Sequence, residues 1–129
     1  MSDLEADLFQ LAMSEKAQPL MDAVKKHIAE NVVPITDEFI ALHAEKEDRW
    51  SWHPRQLELL DGAKTKAKES GLWNFFLPDA DTGEGLNNLD YAYIAAELGK
   101  YPLASESLNC SAPDTGNMEV LERVGTPEI

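Results

Sequence analysis

The sequence predicts an all-α fold, a helical bundle of five or six helices. Three observations carry this. Apolar residues recur at intervals of three and four along most of the chain, the period of a helix with one buried face. Prolines and glycines stand where helices would open and close. No stretch alternates apolar and polar residues for long enough to make a half-buried strand. With 129 residues and a hydrophobic share of 43%, the chain has material for one domain around one core.

Leu4, Leu8 and Leu11 stand at i, i+4 and i+7, a short amphipathic stripe. Leu20, Val24 and Ile28 repeat that spacing, with Asp22 and Lys26 set as an i, i+4 ion pair on the other side. Pro34 removes a backbone donor and should kink or interrupt the helix. Ile35, Phe39 and Leu42 then resume the stripe. Residues 15–45 read as two helical pieces or one long bent helix.

Residues 46–53 form a charged and aromatic connector containing Trp50 and Trp52. Pro54 suits the first turn of a helix over 54–70, with Ser51 or His53 near its cap. Leu57, Leu60, Ala63 and Ala67 mark its inner face, and Gly71 suits a left-handed C-cap. The run Leu72 to Pro78 is too short for a helix and too apolar for an exposed loop. It should lie extended or irregular within the core. Residues 79–85 are a polar loop with Gly83 and Gly85.

Asn87 or Asn88 can cap the next helix, whose face reads Leu89, Ala92, Tyr93 and Ala96, closed by Gly99 and Pro102. A short helical turn follows over 103–110, then a loop over 111–117. Met118, Leu121 and Val124 mark a helix ended by Gly125. Thr126-Pro127-Glu128-Ile129 reads as the opening of one more helix. The expectation is a piece of something longer.

Composition narrows the function. Eleven basic residues face 24 acidic ones, a net charge of −13, which disfavours nucleic acid, whose phosphates need a basic face. No apolar run approaches the ~20 residues that cross a bilayer, so no membrane insertion is expected. The acidic start has no secretory or transit signature, and the single Cys110 cannot make an internal disulfide. These features predict a cytoplasmic protein. His27, His43 and His53 are too scattered for a metal motif, and His43 with Glu47 supplies two ligands at most. Cys110 has no cation nearby in sequence and reads as a buried small residue. The Gly83-Glu84-Gly85 spacing reads as a turn, not a phosphate cradle. Trp50, Trp52, Trp73, Phe75 and Phe76 read as filling the core or a contact with further domains.

Three features now appear in one order: Gly71-Leu72 to Leu77-Pro78, then Gly83-Glu84-Gly85-Leu86, then Leu89-Asp90-Tyr91 to Ala96-Glu97-Leu98-Gly99. This resembles the N-terminal helical domain of the acyl-CoA dehydrogenases. Val124-Gly125-Thr126-Pro127-Glu128 resembles that family's Gly-[Ser/Thr]-x-Glu, and residues 109–119 resemble a subgroup related to eukaryotic members fused to a phosphotransferase-like domain. Thr82 stands where many members have a glycine.

The resemblance implies an FAD-dependent enzyme that oxidises the Cα–Cβ bond of an acyl-CoA thioester. A glutamate takes the α-proton while the β-hydride passes to the flavin. It implies that 1–129 is the N-terminal domain, truncated before the β-domain, with no catalytic residue and no FAD site of its own. Its partners would be the acyl-CoA substrate, the β- and C-terminal domains and further subunits of a homo-oligomer. It places Ala112, Asp114, Thr115, Met118 and Leu121 at the far end of the acyl cavity. Met118 and Leu121 would supply an apolar wall, Ala112 would leave space, and Asp114 and Thr115 would fix the loop. The isolated piece would be inactive and prone to self-association. The alternative is a non-catalytic helical interaction module.

Overall fold

The computed structural model describes residues 11–46, 48–126 and 128. Among these residues the secondary structure is helical, with no strand. A 3-10 turn, Glu15–Ala17, leads into α1 (Gln18–His27), a π-helical stretch (Ile28–Val32) and α2 (Val33–Ala44). Then come α3 (Pro54–Glu69), α4 (Asn88–Leu98), the single turn α5 (Ala104–Ser107) and α6 (Asp114–Val124). Leu4 and Leu8 of the first stripe, Glu47, and Pro127 and Ile129 of the terminal helix start lie outside the described residues.

The helical run passes Pro34 unbroken, but its α-helical part is interrupted there, as expected, by the π-helical stretch Ile28–Val32. Pro34 cannot donate to the Glu30 carbonyl, and the turn before it widens: the Val33 N–H reaches back to the Ile28 carbonyl, five residues away. A π-bulge absorbs the missing bond. The Thr36 hydroxyl donates to the Val32 carbonyl at 2.8 Å. On the α1 face, Met21, Val24 and Ile28 are buried, while Asp22 accepts from Gln18 Nε2 at 3.0 Å instead of pairing with Lys26.

α3 opens on a capping box. His53 Nδ1 accepts from the Arg55 N–H at 3.1 Å, and the His53 N–H donates to Gln56 Oε1 at 3.2 Å. Gln56 Nε2 then donates to the Phe39 carbonyl at 2.9 Å, with the residue fully buried. The inner face of α3 is therefore Gln56, Leu59, Leu60, Ala63 and Ala67, and Leu57 lies outside at 44% exposure. Pattern reading discounts a polar residue as core. Here the amide is what the core position needs. α3 ends as expected, with Gly71 at φ +72°.

The run after it is buried through Leu72, Phe75, Phe76 and Leu77, folded as consecutive turns. Each of these side chains contributes on the order of 2 kcal/mol by leaving water. The polar loop closes against this run. The Glu84 N–H donates to the Phe75 carbonyl at 3.2 Å, and a Cβ on Gly83 would sit 2.1 Å from the Leu77 carbonyl oxygen. Gly83 and Gly85 (φ +59°) are the glycines this loop requires. Thr82 needs no glycine's freedom, since no positive φ falls there.

Asn87 caps α4 by accepting from the Asp90 N–H at 2.8 Å. The buried side of α4 is Asp90, Ile94 and Leu98, rotated from the expected Leu89, Ala92, Tyr93 and Ala96 face. Ala92, Tyr93 and Ala96 are exposed. Asp90 explains the rotation. Its carboxylate accepts from the Ser14 N–H at 2.7 Å and the Ser14 hydroxyl at 2.8 Å, clipping the start of the first helical run to α4. The Tyr93 hydroxyl donates to the Leu11 carbonyl nearby.

His27 is buried against α5. The Ser107 hydroxyl donates to the Ala104 carbonyl at 2.8 Å, so at 3.0 Å it can only accept from His27 Nε2–H. Nδ1 is then the acceptor for Asn31 Nδ2 at 3.3 Å. The imidazole is neutral, and burial lowers its pKa below the usual histidine value.

Two predictions follow from this packing. Gly83→Ala forces the loop off the Leu77 carbonyl and should cost about 2 kcal/mol or more in urea unfolding. Because the folded pKa of His27 is depressed, the unfolded chain binds the extra proton as pH drops. Its stabilising contribution is complete above the unfolded value of about 6.5 and is lost as pH falls below it. The urea midpoint should fall from about pH 7 to about pH 5, and His27→Gln should flatten that fall; an identical slope in the variant would assign it elsewhere.

Candidate functional site

α6 stands apart from the body of the bundle. None of its residues is buried, and Val120, Leu121 and Val124 are exposed at 59%, 50% and 77%. A helix that carries this much apolar surface outward is built to be covered. Its inner side rests on the core through Met118, which packs against the buried cluster. The helix starts at Asp114, earlier than the loop expected over 111–117, so Asp114 and Thr115 sit in its first turn.

Between α6 and the 72–85 segment runs an open groove of about 490 Å³ lined by Asn74, Leu77, Thr82, Met118, Leu121, Glu122, Gly125 and Thr126. Leu77, Met118 and Leu121 make its apolar part. On its rim the Thr82 hydroxyl donates to Glu122. A smaller cavity of about 270 Å³ behind α6 is bounded by Phe76, Tyr91, Thr115, Glu119 and Arg123 among others. The structure thus brings Met118 and Leu121 to one groove and puts Thr115 on the cavity behind it. Ala112 and Asp114 are exposed beside the start of α6 and belong to neither lining. Among the described residues, Asp114 makes no side-chain cap bond; the turn there is held by the backbone, with the Thr115 N–H donating to the Ser111 carbonyl at 3.2 Å.

Asn74, Leu77, Thr82, Glu122, Gly125 and Thr126 are the groove residues that sequence reasoning missed. Leu77 carried a signal, since it closes an apolar run. The others had none, because their place depends on how the 72–85 segment meets α6.

Cys110 lies just before α6 and is inert. Burial pushes its thiol up to about 12, and it sits 3.5 Å from the Leu108 carbonyl. Burial likewise raises the neighbouring Tyr91 to about 12. Trp50 is 80% exposed, with the Arg49 guanidinium 4.4 Å over its ring. Trp52 is 54% exposed and packs on Phe39 at 5.8 Å between ring centres. Neither fills the core, unlike Phe75 and Phe76, because their connector runs over the surface. Among the described residues, no three His, Cys, Asp or Glu side chains gather as a metal site, and no helix is long and apolar enough to cross a membrane.

Among the described residues, four of the eleven lysines and arginines are ion-paired, Lys100 with Glu97 at 2.5 Å being one. Arg55 binds Glu38 at 2.8 Å and Glu58 at 3.2 Å, Lys66 binds Glu69 at 2.7 Å, and Lys64 binds Glu106 at 2.5 Å. The groove itself presents Glu122 and no cation. A pyrophosphate needs basic partners or a glycine-rich cradle at a helix start. The residues here do not fit the dinucleotide portion of a flavin cofactor.

Residues 14–129 match the family described as acyl-CoA dehydrogenase, N-terminal domain. The chain belongs to the acyl-CoA dehydrogenase family. It is 44% identical over 118 residues to acyl-CoA dehydrogenase family member 11 of Gallus gallus, covering 89% of this chain and 14% of that protein. It is 41% identical over 121 residues to acyl-CoA dehydrogenase family member 10 of Mus musculus, covering 90% of this chain and 11% of that protein. A solved Mycobacterium abscessus structure described as an acyl-CoA dehydrogenase superposes with a TM-score of 0.76 at 40% identity, over 91% of this chain and 30% of that one. Among the described residues the family domain is helical, as the resemblance implied, and the chain spans well under a third of the curated relatives it matches.

Leu121 is held on the surface by no core contact, so its replacement tests site against scaffold. Leu121→Asp should change the unfolding free energy of the chain by no more than about 0.5 kcal/mol in urea, as for ordinary surface substitutions. A large loss would make the residue structural.

Proposed function

We propose that this chain serves as the N-terminal domain of a longer, FAD-dependent acyl-CoA dehydrogenase, and that its groove along α6 forms part of the wall around the acyl tail. The observation that carries this is the groove itself: Leu77, Met118 and Leu121 on one open surface, beside a helix whose outward face is apolar. An acyl chain needs a wall of this kind, because each buried methylene contributes about 0.8 kcal/mol. Open to solvent on one side, the groove needs a further domain to close it. The family's β- and C-terminal domains are the expected cover. The acyl chain would leave water only when they meet.

The chain's own residues supply shape and dryness in this reading, and no proton transfer. Met118 and Leu121 exclude water from the tail, and the neutral Cys110 thiol beneath stays out of the chemistry. The flavin, the catalytic base and the grip on the CoA phosphates belong to the rest of the protein. The 129-residue chain by itself binds no FAD and oxidises no acyl-CoA. The parent enzyme is cytoplasmic in the same reading, which the lone buried thiol supports, and a homo-oligomer by likeness to its family.

The test uses the full-length protein with Leu121→Asp. A carboxylate in an apolar wall should lower kcat/KM for acyl-CoA by about tenfold or more while the flavin absorbance per subunit stays the same. Unchanged kinetics across acyl chain lengths would overturn the acyl-wall assignment. FAD retention or acyl-CoA turnover by the 129-residue chain would overturn the division of labour.

A further inference from the structure

Asn74 and Asn109 are the residues other than glycine that the described backbone holds at positive φ, +60° and +59°. Asparagine tolerates this region because its short amide can bond locally. These two amides bond to each other instead, across 35 positions of sequence. Asn109 Nδ2 donates to Asn74 Oδ1 at 2.7 Å and to Met118 Sδ at 3.2 Å. A thioether sulfur accepts and never donates, so only the NH2 side of the Asn109 amide can face it. Asn74 must then present its oxygen. One amide group thereby spends both protons on two separate segments, the apolar 72–78 run and α6.

Met118 is the natural object of such a clamp. Its side chain has three rotatable bonds and fills whatever space it is given. Left alone it would sample several shapes along the groove. Tied at the sulfur and packed on the core, it presents one. Asn74 lines the same groove, so both ends of the clamp meet at its wall.

We propose that Asn109 is a positioning residue: by holding the Met118 thioether, it sets the depth of the groove and so the acyl length that the groove takes up. The inference rests on the acyl-wall reading of that groove. Asn109 touches no part of the proposed ligand and acts through Met118.

Two variants separate this role from a turn requirement. Asn109→Gly keeps the left-handed backbone free of strain and removes the amide. Asn109→Asp keeps the size and removes both donors. In the 129-residue chain labelled at the methionine methyls, the Met118 resonance should move toward that of a freely rotating methionine in both variants, with the Asn109→Gly unfolding midpoint retained. In the full-length protein, the ratio of kcat/KM between acyl-CoAs two carbons apart should shift by about tenfold, at unchanged flavin content. A Met118 methyl that keeps its wild-type position in both variants overturns the proposal and leaves the acyl-wall reading standing. A mobile Met118 with an unchanged length ratio also overturns it. If Leu121→Asp is silent in the same assay, it is the acyl-wall reading that has failed.

Discussion

A polar group taken out of water must be paired, and this requirement organises the bundle. Among the described residues, four polar or charged side chains are buried, at Gln56, His27, Asp90 and Ser107. Among the described residues, no buried side-chain nitrogen or oxygen lacks a partner. Each of the four joins segments far apart in sequence. Gln56 binds the α3 start to α2, His27 and Ser107 bind α1 to α5, and Asp90 binds α4 to the turn before α1. Apolar burial supplies most of the stabilisation but is tolerant of sliding and rotation. These bonds are not, since a displacement of an ångström leaves a buried donor or acceptor unmade. They decide which face of α3 and of α4 turns inward.

The connectors obey a second constraint, that of backbone handedness. Gly71, Asn74, Gly85 and Asn109 all take positive φ, and each sits where the chain reverses between helices. The reversals let the apolar run over 72–78 pass under α6 and bring the 79–85 loop against it. Gly83 completes the closure, because the Leu77 carbonyl occupies the volume of a side chain there. The groove beside Met118 is a product of this folding of connectors, and the helices serve as its frame.

α6 shows what the bundle does not provide for itself. Val120, Leu121 and Val124 face away from the core, and α6 is attached through Met118 on the core, the Thr82–Glu122 bond and the Met118 contact with Asn109. In the proposed function, a helix so placed gains its burial from a further domain. With 24 acidic residues against 11 basic ones and no cation in the groove, the domain offers phosphates little.

Much of this was legible in the residues. The helical period, Pro54 in a first turn, Asn87 at a cap, Gly71 in a left-handed C-cap and the buried 72–78 run are local matters, decided by sterics and by a few neighbouring residues. Family likeness was legible in the same segments, and Met118 and Leu121 lie on one groove. Tertiary structure alone decided the rest. Leu57 and Tyr93 turned outward because Gln56 and Asp90 had bonds to make inside. Pro34 produced a widened turn, because packing on both sides kept the run continuous. Asn74, Thr82 and Glu122 joined the groove because the 72–85 segment met α6. The physical reason is range: periodicity and capping act over one or two turns, while the pairing of buried polar groups and the meeting of loops join positions dozens of residues apart, which no local pattern records.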